Sequence, residues 1–176
     1  VHLGLDISTS ITGYAILDHN GKIIKIDAID LKNKNKFPDM FSKALHVQEH
    51  LRNINRNFPI TKIAIEPSLM MFSMGKSSAA TIATLLKFNG IISWICEQEY
   101  EMAPEFIPAI SARKICGIKV EKGKKAKQCV MEHLLKTEPD FAKLVQYTKQ
   151  NNIIPKYWDM ADAYVIARAS FLKTIS

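Results

Sequence analysis

The sequence predicts a mixed α/β fold, with strands opening the chain and helices closing it. Three observations carry that class. The first thirty or so residues hold three short apolar runs, two of them separated by His19-Asn20-Gly21. Stretches 38–57 and 75–98 place apolar residues at helical spacing on either side of a short apolar run, "ITKIAIE". The last stretch, "WDMADAYVIARASFL", returns to helical spacing.

In chain order, "VHLGLDIS" reads as a first strand that holds one carboxylate, Asp6, among Leu3, Leu5 and Ile7. "TGYAILDHNGKIIKIDAIDL" supplies two more strands, because Asn-Gly between alternating segments favours a hairpin, so the chain opens as a three-stranded meander. Residues 38–57 form an amphipathic helix through Met40, Phe41, Ala44, Leu45, Val47, Leu51 and Ile54, with Pro38 and Asp39 suited to its first turn. A fourth strand ends at Glu66, before Pro67. Residues 75–98 form a long helix, apolar on most sides and charged only at Lys76, Lys87 and Glu97, which calls for a partner beyond the sheet. "EFIPAI" is a fifth strand, "SARKIC" a helical turn capped by Ser111, residues 124–136 a helix, and residues 158–172 the last helix after a polar connection.

At 176 residues, 47% hydrophobic and 23% charged, the chain is long enough for one domain with a proper core and too apolar for disorder. Cys96, Cys116 and Cys129 lack the spacing of a zinc site, which fits a reduced protein. With no leader pattern and no apolar run near the ~20 residues of a membrane span, the expected place is the cytoplasm, a host cell's if the chain is viral, with no membrane partner. A net charge of +7 favours polyanions such as nucleic acid.

Asp159 and Asp162 stand three apart at the start of the last helix and share a face whose other residues must be buried. Two like charges there repel unless a cation lies between them. With Asp6 and Glu66, four carboxylates from three segments are positioned to converge. Hard oxygen ligands without His or Cys select Mg²⁺ or Mn²⁺, and two such ions suit in-line displacement at a phosphodiester. The plainer readings are a dipole or capping role for Asp159, a strand-end surface charge for Glu66, and a hydrogen bond from Asp6 to the Ser8-Thr9-Ser10 turn.

"LGLDISTSITGYAIL", "IAIEP" with the long helix after it, and "DMADAYVIARA" together resemble the RuvC-type Holliday junction resolvases of the ribonuclease H-like superfamily. Divergence elsewhere is closer to phage or otherwise distant members. The resemblance implies a five-stranded mixed sheet flanked by helices, with Asp6, Glu66, Asp159 and Asp162 as the catalytic, metal-binding tetrad. It implies two Mg²⁺ ions, with Mn²⁺ substituting, and junction cleavage by paired symmetric nicks leaving 5′-phosphate and 3′-hydroxyl ends. It also implies a homodimer through helix 78–97. Basic residues before the last helices fall on Arg113, Lys114, Lys119, Lys122, Lys124, Lys125 and Lys127 as DNA contacts, with Lys76 a further candidate. Lys127 matches the family pattern best, and Arg113 or Lys114 the upstream lysine. A junction wedge falls on Phe72, with Leu69, Met70 or Met71 as alternatives and loop packing as the plainer role. Competing readings are a broader fork, flap or RNA/DNA-hybrid nuclease and a non-catalytic junction binder. An actin-like ATPase or sugar kinase shares the first motif but needs a second phosphate motif and a longer chain.

Overall fold

A computed structural model describes residues 1–68 and 78–175. The meander forms as the alternation predicts: β1 (His2–Asp6), β2 (Ile11–Leu17) and β3 (Ile23–Asp30) pair antiparallel. The connection between β2 and β3 is wider than a two-residue turn. Asp18 Oδ1 accepts from the backbone N–H groups of Asn20 and Lys22, at 2.8 Å each, and so closes a five-residue loop. β4 (Lys62–Ile65) then joins β1 in parallel, and β5 (Glu105–Phe106) joins β4, giving the order β3-β2-β1-β4-β5. β5 is far shorter than "EFIPAI" suggests, because Pro104 and Pro108 bracket it and lack the N–H a ladder needs.

Helices cover both faces of the sheet. On one side α1 (Met40–Asn57) and α2 (Ala79–Tyr100) pack over Leu3, Leu5, Tyr14, Ile16, Ile63 and Ile65. α1 starts two residues later than the sequence suggests, since Asp39 is its N-cap and forms a reciprocal box with Ser42. α2 is capped by Ser78 and ends at Glu101, which is left-handed. By length and composition alone α2 is long and apolar enough to cross a membrane, longer than the apolar runs in the sequence suggest. Its Phe88, Ile92, Ile95 and Cys96 are buried against α1 and the sheet.

The other face carries α6 (Lys156–Ile175), with α3 (Ala109–Ile115), α4 (Ala126–Thr137) and α5 (Pro139–Leu144) around it. α3 begins at Pro108 rather than at Ser111, which lies inside the helix and makes no cap. α5 lies where the sequence shows no helical period; Pro139 opens it and Phe141 is fully buried. The polar connection before α6 holds a small bridge between Tyr147 and Ile153.

Two glycines set how closely α6 lies on the sheet. A Cβ on Gly4 would meet the Ala167 backbone nitrogen at 2.4 Å, and one on Gly13 would meet the Asp159 carbonyl oxygen at 2.2 Å. Backbone therefore rests on backbone, with Ala163 and Ala167 facing Gly4.

Candidate active site

Asp6 ends β1 rather than standing in mid-strand, and its neighbours are not those the apolar pattern suggests. Strand side chains alternate, so Leu3 and Leu5 point to α1 and α2, while Gly4 and Asp6 face α6. Glu66 follows directly from β4, and its N–H donates to the Leu5 carbonyl at 3.2 Å. Because β1 and β4 run parallel, their C-terminal ends lie side by side, which brings Glu66 next to Asp6. Asn89, buried on α2, donates to the Glu66 carbonyl at 3.0 Å and fixes that strand end.

Across the sheet, Asp6 pairs in register with Gly13, and the Asp159 backbone lies over Gly13. The first turns of α6 thus present Asp159 and Asp162 beside Asp6. The hydrogen bonds of the Ser8-Thr9-Ser10 turn run to Ser8, whose Oγ donates to the Ile11 carbonyl at 2.7 Å and accepts from the N–H groups of Ser10 and Ile11. Asp6 is not needed to hold that turn.

The acids feel one another. Burial, followed by the charges of Asp162 and Glu66, raises the Asp6 pKa well above the ordinary aspartate value. Burial and Asp162 raise Glu66, with Lys127 and Arg113 opposing. Burial also raises Asp159, with Lys127 pulling it down and Asp162 pushing it up. A cavity of about 230 Å³ opens on this end of the sheet, lined by Asp6, Ser8 and Glu66 and walled by Ile82 and Leu85 of α2.

Lys127 on α4 turns into the acids, its Nζ 2.9 Å from Asp162 Oδ2 and 3.6 Å from Asp159 Oδ1. Burial works against its charge, but Asp162, Asp6 and Asp159 outweigh it and its pKa is raised. Among the described residues, no three His, Cys, Asp or Glu side chains form a group placed to hold one metal ion. The donor chemistry nonetheless fits a hard divalent cation: every side chain is a carboxylate, and Asp6 stays raised despite Lys127.

The other described basic candidates lie on α3 and on the connection from α3 to α4. Arg113 acts on Glu66 electrostatically and, with Lys114 and Lys119, lines a cavity of about 350 Å³. Lys122 and Lys125 are exposed. Lys124 is tied to Glu121 at 2.9 Å and Glu132 at 3.0 Å. Phe72 and Lys76, with Leu69, Met70 and Met71, lie outside the described residues.

Three participants, Asn89, Gly13 and Lys32, and one pairing were missed in the sequence. Asn89 carried no signal within an apolar helix. Gly13 did: a glycine inside a strand marks close backbone approach. The Lys127–Asp162 pair joins segments far apart in the chain. Lys32 acts on Asp159 from the β3–α1 loop, where Asn33 Oδ1 accepts from the N–H groups of Asn35 and Lys36 and leaves Lys32, Lys34 and Lys36 exposed.

No protein-family model matches the chain. A crossover junction endodeoxyribonuclease RuvC from Aliarcobacter butzleri is 30% identical over 116 residues, 65% of this chain and 71% of that protein. The structure superposes on T. thermophilus RuvC in complex with a Holliday junction substrate with a TM-score of 0.65 at 9% identity, covering 99% of this chain and 95% of that one. The yeast mitochondrial Holliday junction resolvase Ydc2 gives 0.57 at 18% identity, covering 98% and 80%. The superpositions carry the ribonuclease H-like fold over nearly the whole chain, and the sequence match carries descent: the chain belongs to the RuvC-type resolvase family.

Proposed function

We propose that this protein is a metal-dependent, structure-selective DNA endonuclease that resolves four-way junctions by paired symmetric nicks, leaving 5′-phosphate and 3′-hydroxyl ends. The observation that carries the reading is the electrostatic coupling of Asp6, Glu66, Asp159 and Asp162, from two strand ends and one helix start, with Asp6 and Glu66 lining one cavity. A pure DNA binder gains nothing from carboxylates set beside phosphates.

These four side chains would hold Mg²⁺, or Mn²⁺ in its place. When bound, two such ions supply Lewis acidity at the phosphate and lower the pKa of a water. The chain itself does the positioning. Parallel β1 and β4 hold Asp6 and Glu66 side by side, Asn89 anchors the second of them, and the Gly13 contact fixes Asp159. Arg113, Lys114 and Lys119 around one cavity, and Lys32 of the β3–α1 loop, offer cations for phosphates.

Two nicks on opposed strands call for two such sites, and hence a homodimer. Support comes from Trp94 on the outer face of α2, 60% exposed, and from Phe41 and Leu45, one turn apart on the adjacent α1 and 70% and 65% exposed. Trp94→Glu is expected to turn a dimer into monomers in light scattering; a dimer that persists unchanged would move the interface elsewhere.

The test of the nuclease reading separates binding from cutting. Asp6→Asn, Glu66→Gln and Asp162→Asn should each lower junction cleavage in Mg²⁺ by at least about a thousandfold, the scale of losing one catalytic group. Gel-shift affinity for the same junction should hold. Cleavage surviving Asp6→Asn, or binding lost with the fold intact, would contradict the assignment.

A further inference from the structure

Lys127 departs from the rest of the basic flank. Its neighbours Lys122 and Lys125 face solvent and Lys124 is held by two glutamates, whereas the Lys127 ammonium reaches inward to Asp162 and Asp159. It meets the oxygens that a divalent cation would need. The side chain is still 57% exposed, so its flexible four-carbon stem has open space to swing into. Like charges cannot share those oxygens at such separations without strong repulsion.

We propose that Lys127 is a displaceable counter-cation: it holds Asp159 and Asp162 until a divalent ion takes their oxygens, and is then released toward the DNA backbone. The idea rests on the metal reading above and adds to it. Metal entry and phosphate binding become coupled, since the ion that takes the Asp159 and Asp162 oxygens frees one ammonium for the substrate. Before metal arrives, the ammonium limits repulsion among the acids. After release, it lies on the flank that already holds Arg113, Lys114 and Lys119.

The experiment is a calorimetric titration of the full chain with Mn²⁺, in wild type and in K127Q, K127R and D162N. Competition predicts that K127Q binds Mn²⁺ about tenfold tighter than wild type, because the competing charge is gone. K127R, which keeps the charge, should stay near wild type, and D162N should bind more weakly. Junction binding in Ca²⁺, chosen to limit cutting, should then have a salt slope steeper by about one in wild type than in K127Q, with the two slopes equal in chelator. Unchanged or weaker Mn²⁺ binding by K127Q, with wild type binding and D162N impaired, overturns the competition and leaves the metal site standing. Equal salt slopes in Ca²⁺ overturn the release. Absence of Mn²⁺ binding in wild type removes the metal reading itself, and this inference with it.

Discussion

Burial disfavours the ionised form of Asp6, and the charges of Asp162 and Glu66 add to the penalty. An acid whose folded pKa stands above its unfolded value stabilises the fold fully below the unfolded pKa, and that contribution is lost as pH rises through the folded one. In chelator at pH 8, Asp6→Asn should therefore raise the melting temperature, by roughly 2–4 °C for each kcal/mol relieved in a chain of this size. Below the ordinary aspartate value of 3.8 the gain should vanish, because wild-type Asp6 is then neutral. Thermal melts at the two pH values check this; a lower melting temperature for the variant at pH 8 would mean that Lys127 more than compensates the charge. The presence of the four acids was legible from their residue types and spacing. The direction of Asp6 was misread, because an apolar run hides which face each residue takes until the sheet has two covered sides. The inward turn of Lys127 was not legible, since nothing local in a basic stretch shows which lysine meets acids from another segment.

α6 does two jobs at the scale of the element: it fills one side of the core and delivers Asp159 and Asp162. Both depend on the absence of a side chain at Gly4 and Gly13. Gly13→Ala would drive a Cβ into the Asp159 backbone, where no flexible side chain can yield. The expected cost is about 1–3 kcal/mol, the usual range for overpacking. Cleavage should fall further than stability alone explains, because Asp159 moves with the helix start. Denaturant melts together with cleavage rates check the pair; a variant of normal stability and activity would show that α6 is not held by this contact. The hairpin, the amphipathic α1 and the last helix were readable from periodicity and turn residues. α5 was not, since a six-residue helix gives too few turns for a period to show. β5 is shorter than its apolar run because Pro104 and Pro108 on either side of it lack the N–H that a ladder needs.

In the whole molecule, α2 links features that would otherwise be separate. Ile82 and Leu85 wall the cavity, Asn89 pins the strand end that carries Glu66, and Trp94 faces outward from the same helix. A partner bound on the Trp94 side would thus sit on the element that shapes the site. Cations reach the acids from two elements, Lys32 of the β3–α1 loop acting on Asp159 and Arg113 of α3 acting on Glu66. Cations so close to the acids suit a polyanionic substrate. The measurement that bears most directly on the proposal is cleavage of an end-labelled four-way junction beside a fork, a flap and linear duplex, in Mg²⁺ and in chelator. The account predicts paired, symmetric nicks on the junction alone, religatable as 5′-phosphate and 3′-hydroxyl ends and lost in chelator. Equal cutting of fork and flap would contradict junction selectivity, and tight junction binding with no nick in Mg²⁺ or Mn²⁺ would contradict the nuclease itself.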